Sequence, residues 1–107
     1  MKKKHSKLSD EVYRLVSKIP EGKLSTYGSL ARAVNLPKAS RAIGAILRVN
    51  PHPKDVVPCH RVVMSDGRIG GYGGKRRIPR KISLLRKEGV RVVDGRVDLQ
   101  RYLFTDF

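Results

Sequence analysis

The chain is organised around one apolar stretch with three polar residues at its centre: Val56-Val57-Pro58-Cys59-His60-Arg61-Val62-Val63. Short apolar runs of this kind are typical of buried strand segments, which would hold Cys59 in a fixed, dry position. Cys59 is the only cysteine in the chain. A thiol attacks as the thiolate, and nearby His60 or Arg61 charge favours that form. An inert buried cysteine is the ordinary alternative, so the rest of the chain must decide.

The chain carries a large net positive charge. Its 107 residues include 24 Lys and Arg against 9 Asp and Glu, a formal net charge of +15. A field of this sign attracts polyanions and gains affinity from counterion release, so nucleic acid is the predicted class of partner. A solvated thermophilic surface is the alternative, but such surfaces enrich Glu together with Lys. Here the acidic residues are too few for that reading.

The length of the chain and its residue types limit the classes of protein to which it can belong. A chain of 107 residues suits one modest core, so we expect a basic N-terminal arm over 1–8 and one domain over 9–107, without a separate N-terminal domain. One cysteine and three dispersed histidines offer no zinc spacing, and we expect no metal and no cofactor. No apolar run is long enough to span a membrane and no secretion signal is evident, which predicts a cytoplasmic protein.

Two helices are predicted in the first third of the chain. Ser9 is a suitable N-cap for the first, and Ser25-Thr26 for the second, which begins at about Tyr27. The apolar residues of the first helix fall on one face: Val12, Leu15, Val16 and Ile19. Those of the second helix do the same: Leu30, Ala31 and Val34. This spacing is typical of helices that pack against a core.

A third helix is predicted to open at Lys38, after the breaker Asn35-Leu36-Pro37. Its expected inner face consists of Ala39, Ala42, Ile43, Ile46 and Leu47. Asn50-Pro51 ends the helix, because Asn tolerates a left-handed cap and Pro cannot continue. Two short helices joined by a tight turn, the second with cations beside its apolar face, indicate a helix-turn-helix.

The C-terminal half alternates turns with short elements. Ser65-Asp66-Gly67 predicts a turn, and Asp94-Gly95 predicts a type I′ hairpin. Residues 70–74 surround one aromatic side chain, Tyr72, with glycines, which lets main-chain N–H groups approach a ligand. Pro79 suits the first turn of a helix that Glu88-Gly89 closes. The predicted fold class is mainly α with short β segments, a winged-helix-like helix-turn-helix domain.

In this order the residues resemble the DNA-binding and catalytic domain of O6-alkylguanine-DNA alkyltransferases, also called methylated-DNA–protein-cysteine methyltransferases. The resemblance extends over residues 9–103. The stretches that carry it are Thr26-Tyr27, Leu30-Ala31, Pro37-Lys38-Ala39, Arg41-Ala42-Ile43-Gly44, Asn50-Pro51, Pro58-Cys59-His60-Arg61-Val62-Val63, Gly71-Tyr72, Leu84-Leu85 and Glu88-Gly89. The cysteine stretch in combination with the Asn-Pro pair is far more specific than a helix-turn-helix alone.

The resemblance implies a repair reaction. The protein would bind double-stranded DNA through the minor groove, rotate an O6-alkylguanine out of the stack and move its alkyl group irreversibly to Cys59. A soft, partly ionised thiolate suits displacement at a saturated carbon. His60 would take the thiol proton through a bound water, and Glu88 would orient the imidazole. Because the thioether product is not cleaved, one protein molecule would repair one lesion.

Five further residues take roles at the base by resemblance. Tyr27 would donate its hydroxyl toward the guanine ring and stabilise the leaving oxygen. The carbonyls of Val62 and of the nucleophile would accept from the exocyclic amine, which favours guanine over adenine. Asn50 matches a hinge between the recognition helix and the active-site strand. Tyr72 would form a wall of the base pocket, and the N–H of Gly73 would point to the alkylated oxygen.

Other residues would contact the duplex. Arg41 matches a residue that fills the space left by the everted base, which offsets part of the unstacking cost. The other predicted DNA contacts are Lys38, Ala39, Ser40, Arg48 and Arg61. We expect a monomer, with cooperative binding along DNA left open.

Three departures from the family and two competing functions stay open. One departure is size, because many relatives carry an additional N-terminal domain. Many relatives have a small polar residue where this chain has Gly73. The segment 75–79 is also longer and more basic than the matching segment of most relatives. One alternative is an alkyltransferase-like protein that flags lesions without transfer, although such proteins typically carry tryptophan at the position of Cys59. The other is a helix-turn-helix regulator that reads the major groove, although the small residues that open the third helix suit a shallow minor-groove approach better.

Overall fold

Five α-helices and a two-stranded parallel sheet form the fold in a computed structural model that describes residues 5–70 and 78–107. The helices are α1 (His5–Val16), α2 (Tyr27–Ala33), α3 (Ser40–Arg48), α4 (Ile78–Lys87) and α5 (Leu99–Tyr102). The strands are β1 (Ser25–Thr26) and β2 (Val62–Val63), and a 3₁₀ turn, Cys59–Arg61, comes directly before β2. The mainly helical architecture with short β segments confirms the predicted fold class.

α1 begins earlier than the sequence predicts. It starts at His5, so residues 5–8 belong to the helix and Ser9 lies inside it instead of capping it. The physical reason is that Leu8, one turn before Val12, packs against the core and extends the apolar face of the helix. Val12, Leu15 and Val16 of that face are buried as predicted, and Ile19 is buried beyond the end of the helix. The predicted basic arm therefore loses its second half to α1.

The start of α2 is confirmed, and the end of α3 is not as predicted. The Thr26 hydroxyl accepts a hydrogen bond from the backbone N–H of Ser29 at 3.0 Å, which caps α2. Asn35, with φ of 63°, provides the left-handed residue in the turn after α2. Asn50 does not adopt the predicted left-handed conformation. The residue that caps the end of α3 is Val49, and its φ is −102°.

α3 packs against α2 and α1 through a narrow apolar face. It begins at Ser40 instead of Lys38, after the turn that Pro37 enforces. The buried face is centred on Ile43 and Leu47, one helical turn apart. Ala42, which the pattern assigned to the inner face, is exposed because it projects to one side of that line.

β2 divides the interior into two apolar clusters. Val62 belongs to a cluster formed with α1, α2 and α3, whereas Val63 belongs to a second cluster formed with Leu24, α4 and the C-terminal segments. Successive side chains of a strand point to opposite faces, which explains how two neighbouring valines serve two clusters. β1 pairs with β2 in parallel, with Ser25 opposite Val62 and Thr26 opposite Val63. The residues just before β2 therefore lie between the clusters.

The cysteine stretch is not the continuous buried strand that its apolar runs predict. Val56 is 53% exposed, and residues 59–61 form a 3₁₀ turn. The N–H of Arg61 closes this turn by donating to the Pro58 carbonyl at 2.9 Å. β2 is the only part of the stretch that pairs as a strand. Cys59 is consequently partly exposed, instead of sealed in a dry position.

The predicted hairpin in the C-terminal half is confirmed. Asp94 and Gly95 have φ of 52° and 72°, and a type I′ turn requires positive φ at both positions. Val93 and Arg96 exchange two backbone hydrogen bonds of 3.0 Å across the turn.

α4 has Pro79 in its first turn, as predicted, and Gly89 follows its end with φ of 89°. Leu85 on its inner face is buried in the second cluster. Within the ranges that the structure describes, no helix has the length and apolar character needed to cross a membrane.

Two glycines with nearly equal φ allow a matched test of the turn after β2. Gly67 has φ of 90°, and a Cβ there would lie 2.8 Å from the carbonyl oxygen of Val97, whereas Gly89, with φ of 89°, has no atom within 4 Å of a Cβ. We expect Gly89→Ala to lower the free energy of unfolding by about 1 kcal/mol through its left-handed backbone. Gly67→Ala should cost at least about 1 kcal/mol more, because the Val97 carbonyl must move. Urea unfolding measures both losses, and equal losses would contradict the predicted clash.

Candidate active site around Cys59

Cys59 is the first residue of the 3₁₀ turn between the two apolar clusters. Its side chain packs at the edge of the first cluster and remains partly exposed. A reactive cysteine needs this combination, because a thiol sealed in apolar surroundings stays protonated and cannot meet a substrate. The position is therefore suited to a nucleophile.

The structure brings His60 and Glu88 together, as the sequence analysis predicts. His60 is 1% exposed, and its Nε2 lies 2.9 Å from Oε2 of Glu88. Glu88 directly follows α4, so the fold joins two residues that are distant in sequence. An ionised carboxylate only accepts hydrogen bonds, which means that Nε2 carries the proton and Nδ1 is the basic nitrogen.

The surroundings of His60 keep its imidazole neutral. Burial lowers the pKa of His60, the hydrogen bond and the charge of Glu88 oppose this shift, and the charges of Arg61 and Lys81 add to it. A neutral imidazole can accept a proton from a neighbouring thiol. Cys59 and His60 are adjacent in a 3₁₀ turn and not in an extended segment, so the water link between them stays a prediction.

Arg61 holds Glu88 in place. Its Nε donates to Oε1 of Glu88 at 2.8 Å and its Nη2 to Oε2 at 2.7 Å, while Nη1 donates to the Ile19 carbonyl at 2.7 Å. Burial alone would raise the pKa of Glu88, but the hydrogen bonds from Arg61 and His60 outweigh burial and lower it, so the carboxylate stays charged. Arg61 is thus an internal support of Glu88, and its contact with DNA stays a prediction.

Tyr27 is the first residue of α2, and its phenol is suited to donate a hydrogen bond. Burial and, to a smaller extent, the charge of Cys59 raise the pKa of Tyr27 to about 12, against the opposing charge of Arg48. The hydroxyl therefore keeps its proton at neutral pH. Two glycines flank the ring: a Cβ at Gly70 would lie 3.7 Å from Cε2, and a Cβ at Gly44 would lie 3.9 Å from Cε1. Gly44, inside α3, thus faces the ring of the predicted donor.

Asn50 ties the end of α3 to the cysteine stretch. Its Nδ2 donates to the Val57 carbonyl at 3.2 Å, and its Oδ1 accepts from the N–H of His52 at 2.9 Å. The Pro53 carbonyl accepts from the N–H of Val57 at 3.0 Å within the same segment. The predicted hinge is thus a hydrogen-bonded clamp over residues 50–57, whereas contact between Asn50 and a base stays a prediction.

The two carbonyls predicted to read guanine already accept internal hydrogen bonds. The Cys59 carbonyl accepts from the N–H of Val62, and the Val62 carbonyl accepts from Nζ of Lys81 at 2.6 Å. A carbonyl has two lone pairs, so one internal hydrogen bond does not by itself exclude a second donor. Tyr72, Gly73 and residues 75–77 lie outside the described residues.

The predicted DNA contacts on α3 lie on its outer surface. Lys38, Arg41 and Arg48 are exposed, and Ala39 and Ser40 are partly exposed at the start of the helix. α3 contains no acidic residue, so the cations are not balanced within the helix. This surface is therefore suited to a polyanion.

Lys81 is a buried residue beside the site, and its burial is not expected for a lysine in the basic run 75–81. In the structure Lys81 is 0% exposed, and its Nζ donates to the carbonyls of Val62 at 2.6 Å and Ile69 at 2.7 Å. One signal was present. Lys81 follows Ile78 by three positions and precedes Leu85 by four, so it shares their helix face.

The neutral, buried His60 makes the stability of the fold sensitive to acid. Its pKa in the folded state is lowered from 6.5, so the unfolded chain takes up a proton first as the pH falls. The contribution of neutral His60 to the free energy of unfolding is complete above about pH 6.5. It is lost as the pH falls toward the pKa of His60 in the folded state. We expect His60→Gln, which keeps a donor for Glu88, to lose less stability than wild type between about pH 7 and pH 5.

Urea unfolding at several pH values tests this expectation. His52→Gln, at an exposed loop histidine, is the matched control and should keep the wild-type slope. A His60→Gln slope parallel to that of wild type would contradict the role of His60 in acid sensitivity.

Comparisons with known proteins assign this chain to one family. The family model described as 6-O-methylguanine DNA methyltransferase, DNA binding domain, matches residues 7–90. A bifunctional methyltransferase/endonuclease of Picrophilus torridus is 45% identical over 96 residues, which cover 90% of this chain and 31% of that protein. The DNA base-flipping protein of Escherichia coli is 37% identical over 100 residues, which cover 92% of this chain and 75% of that protein.

A solved structure is similar over almost the whole of both chains. It is the crystal structure of S. pombe Atl1 in complex with damaged DNA containing O6-carboxymethylguanine, with a TM-score of 0.84, 32% identity, and coverage of 97% of this chain and 98% of that one. In contrast, the chain spans 31% and 30% of the length of two bifunctional methyltransferase/endonucleases. Because the family model covers most of the chain, including Cys59, His60 and Glu88, this protein belongs to the 6-O-methylguanine DNA methyltransferase family.

Proposed function

We propose that this protein repairs DNA by transferring the alkyl group of O6-alkylguanine to Cys59. One observation carries the proposal: a partly exposed thiol is followed directly by a buried histidine whose Nε2 lies 2.9 Å from the carboxylate of Glu88. A nucleophile, a base and an orienting acid form the set that activates a thiol. Family membership supports O6-alkylguanine in DNA as the class of substrate.

The proposed transfer is a displacement at the alkyl carbon. His60 takes the thiol proton, through a bound water, and Cys59 attacks as the thiolate. The sulfur–carbon bond forms while the bond between that carbon and O6 breaks, and the electron pair of the broken bond moves to O6 and the guanine ring. Tyr27 donates a hydrogen bond toward the ring and stabilises this charge. The restored guanine takes up one proton, which balances the one that left the thiol.

The fixed charge of Glu88 supports the base in this scheme. When His60 becomes protonated, the carboxylate at 2.9 Å stabilises the imidazolium, and Arg61 keeps the carboxylate in position. The product at Cys59 is a thioether, and the chain contains no other cysteine to accept a second alkyl group. One molecule therefore repairs one lesion.

We assign DNA binding to α2 and α3. The net charge of +15 and the exposed cations of α3 suit a duplex, and the related Atl1 structure contains damaged DNA. Ala39 and Ser40 would approach the minor groove, while Lys38 and Arg48 would contact phosphates. Arg41 would fill the gap left by the everted base. The protein would act as a monomer.

Recognition of the lesion without transfer is the second candidate function. It is favoured by the similarity to Atl1 over nearly the whole of both chains and by the similarity to a DNA base-flipping protein. The arrangement of Cys59, His60 and Glu88 favours transfer, because a pocket that only binds a base does not need a thiol next to a neutral imidazole.

Intact mass separates the two functions. Incubation with a duplex that contains O6-methylguanine should raise the protein mass by one methyl group, and peptide mapping should locate that group on Cys59. Cys59→Ala should abolish transfer and leave DNA binding nearly intact. An unmodified duplex of the same sequence is the control. An unchanged mass together with tight, lesion-selective binding would overturn transfer and support the second function.

Arg41→Ala tests the proposed role of Arg41 in base eversion. Unstacking a base costs a few kcal/mol, so loss of the side chain that fills the gap should slow transfer from duplex DNA by about tenfold or more. Transfer from free O6-methylguanine, which needs no eversion, should change little. Arg14→Ala removes an exposed arginine from α1 and controls for net charge. Equal slowing on duplex and free base would contradict the assignment.

A further inference from the structure

We propose that the C-terminal half of the chain binds a second DNA duplex in a cleft walled by three arginines, separate from the surface of α3. The cleft has a volume of about 410 Å³, and Arg91, Arg96 and Arg101 line it together with apolar and aromatic residues. We call it the arginine cleft. The inference goes beyond the proposed function, because neither base eversion nor transfer uses these residues.

Three separate segments of the chain bring the arginines together. Arg91 lies between α4 and the hairpin, Arg96 directly follows the hairpin turn, and Arg101 lies in α5. The backbone is fixed at two of these positions. The N–H of Arg91 donates to the hydroxyl of Tyr102 at 3.1 Å, and Arg96 exchanges two hydrogen bonds of 3.0 Å with Val93. The fold, and not one flexible basic tail, therefore sets the spacing of the cations.

The arginine cleft carries a net positive charge. All three arginines are exposed, and none of the ion pairs within residues 5–70 and 78–107 includes one of them. Asp98 also lines the cleft, but its carboxylate accepts a hydrogen bond from the N–H of Gln100 at 3.0 Å and caps α5. Three guanidinium groups thus share the cleft with one carboxylate that already has a partner. The cleft is suited to an anion.

The side chains of the cleft match the backbone of DNA. A guanidinium group stays charged, and its planar fork of donors fits two phosphate oxygens. The Arg101 guanidinium lies 5.6 Å from the centroid of the Tyr102 ring, a cation–π contact that limits its freedom. Val93, also in the cleft, is 50% exposed and offers apolar surface to a deoxyribose. Alternating phosphates and sugars use both kinds of surface, whereas a free phosphate uses the arginines alone.

The arginine cleft lies on the opposite side of β2 from α3. Val97 and Tyr102, which line the cleft, belong to the second apolar cluster, whereas Ile43 and Leu47 of α3 belong to the first. One duplex would have to curve around the molecule to reach both surfaces. DNA resists such a bend, because its persistence length is about 150 bp. A second duplex reaches the cleft without this bend, and it is the occupant that we assign.

A second site changes how the protein moves between duplexes. Binding of phosphates by arginines releases counterions and does not depend on sequence. The cleft can therefore bind a new duplex before α3 leaves the first one. The protein then exchanges duplexes without passing through a free state.

Sedimentation of the whole protein with a short duplex tests the second site. With an undamaged duplex of about 12 bp in excess at low salt, wild type should form a complex of one protein with two duplexes, because each surface neutralises its own phosphates. The cleft variant combines Arg91→Gln, Arg96→Gln and Arg101→Gln. Its second duplex should bind at least about tenfold more weakly, while the first should stay within about twofold of wild type.

The matched control removes three exposed cations from other parts of the surface. It combines Lys7→Gln, Arg14→Gln and Lys23→Gln, and it has the same net charge as the cleft variant. It should keep both duplexes. Equal weakening of the second duplex in the control and in the cleft variant would overturn the site, as would a wild-type complex that never exceeds one duplex.

A longer duplex distinguishes the source of the bound phosphates. With duplexes of about 40 bp in excess, wild type should again bind two. A one-to-one complex whose affinity falls only in the cleft variant would mean that one duplex bends to reach both surfaces. That result would overturn the assignment of a second duplex.

The outcomes separate this inference from the proposed function. A variant that combines Lys38→Ala, Arg41→Ala and Arg48→Ala should lose the duplex bound to α3 and keep the one in the cleft. A protein that never becomes methylated on O6-methylguanine DNA, yet binds two duplexes, loses the transfer function and keeps the arginine cleft. A protein that transfers normally but binds one duplex with or without the three arginines loses the cleft alone.

Discussion

The parallel pairing of β1 with β2 is the constraint on which the site depends. Each strand has two residues, and Ser25 opposite Val62 and Thr26 opposite Val63 are the paired positions. β1 is followed at once by Tyr27, and β2 is preceded at once by the turn of Cys59. A register change by one residue would reverse which valine enters which apolar cluster, so burial fixes the register. The shortest element of the fold thereby fixes the strand that follows the cysteine turn against the strand that leads into α2.

The polar groups buried around this strand pair lose their contact with water. Hydrogen bonds and ion pairs within the protein offset the free energy that this loss costs. His60 is held by Glu88, and Glu88 is held in turn by two nitrogens of Arg61, whose third nitrogen bonds to the chain after α1. A buried charge without such partners would cost several kcal/mol. This network connects α1, the cysteine turn and the end of α4, three regions that are far apart in the sequence. The orientation of the imidazole is therefore a property of the whole fold.

The sequence predicts the elements that depend on local chemistry. The Thr26 cap and the Asp94-Gly95 turn follow from backbone preferences of single residues, and the structure has both. The sequence does not predict the elements whose conformation depends on tertiary contacts. The apolar runs around Cys59 predict a strand, but only β2 has a partner, and the residues before it close into a turn. The family resemblance pairs His60 with Glu88, but it does not predict that Arg61 holds Glu88 or that Lys81 bonds to the Val62 carbonyl.

The clamp formed by Asn50 has a consequence for how damage would be located. By bonding to both His52 and Val57, it shortens the connection between α3 and the sulfur to one compact loop. These hydrogen bonds constrain the distance between α3, the helix proposed to face the duplex, and the nucleophile. Under the proposed function, the nucleotide has to travel to a fixed point, and discrimination between damaged and intact guanine depends on how easily the DNA releases each base.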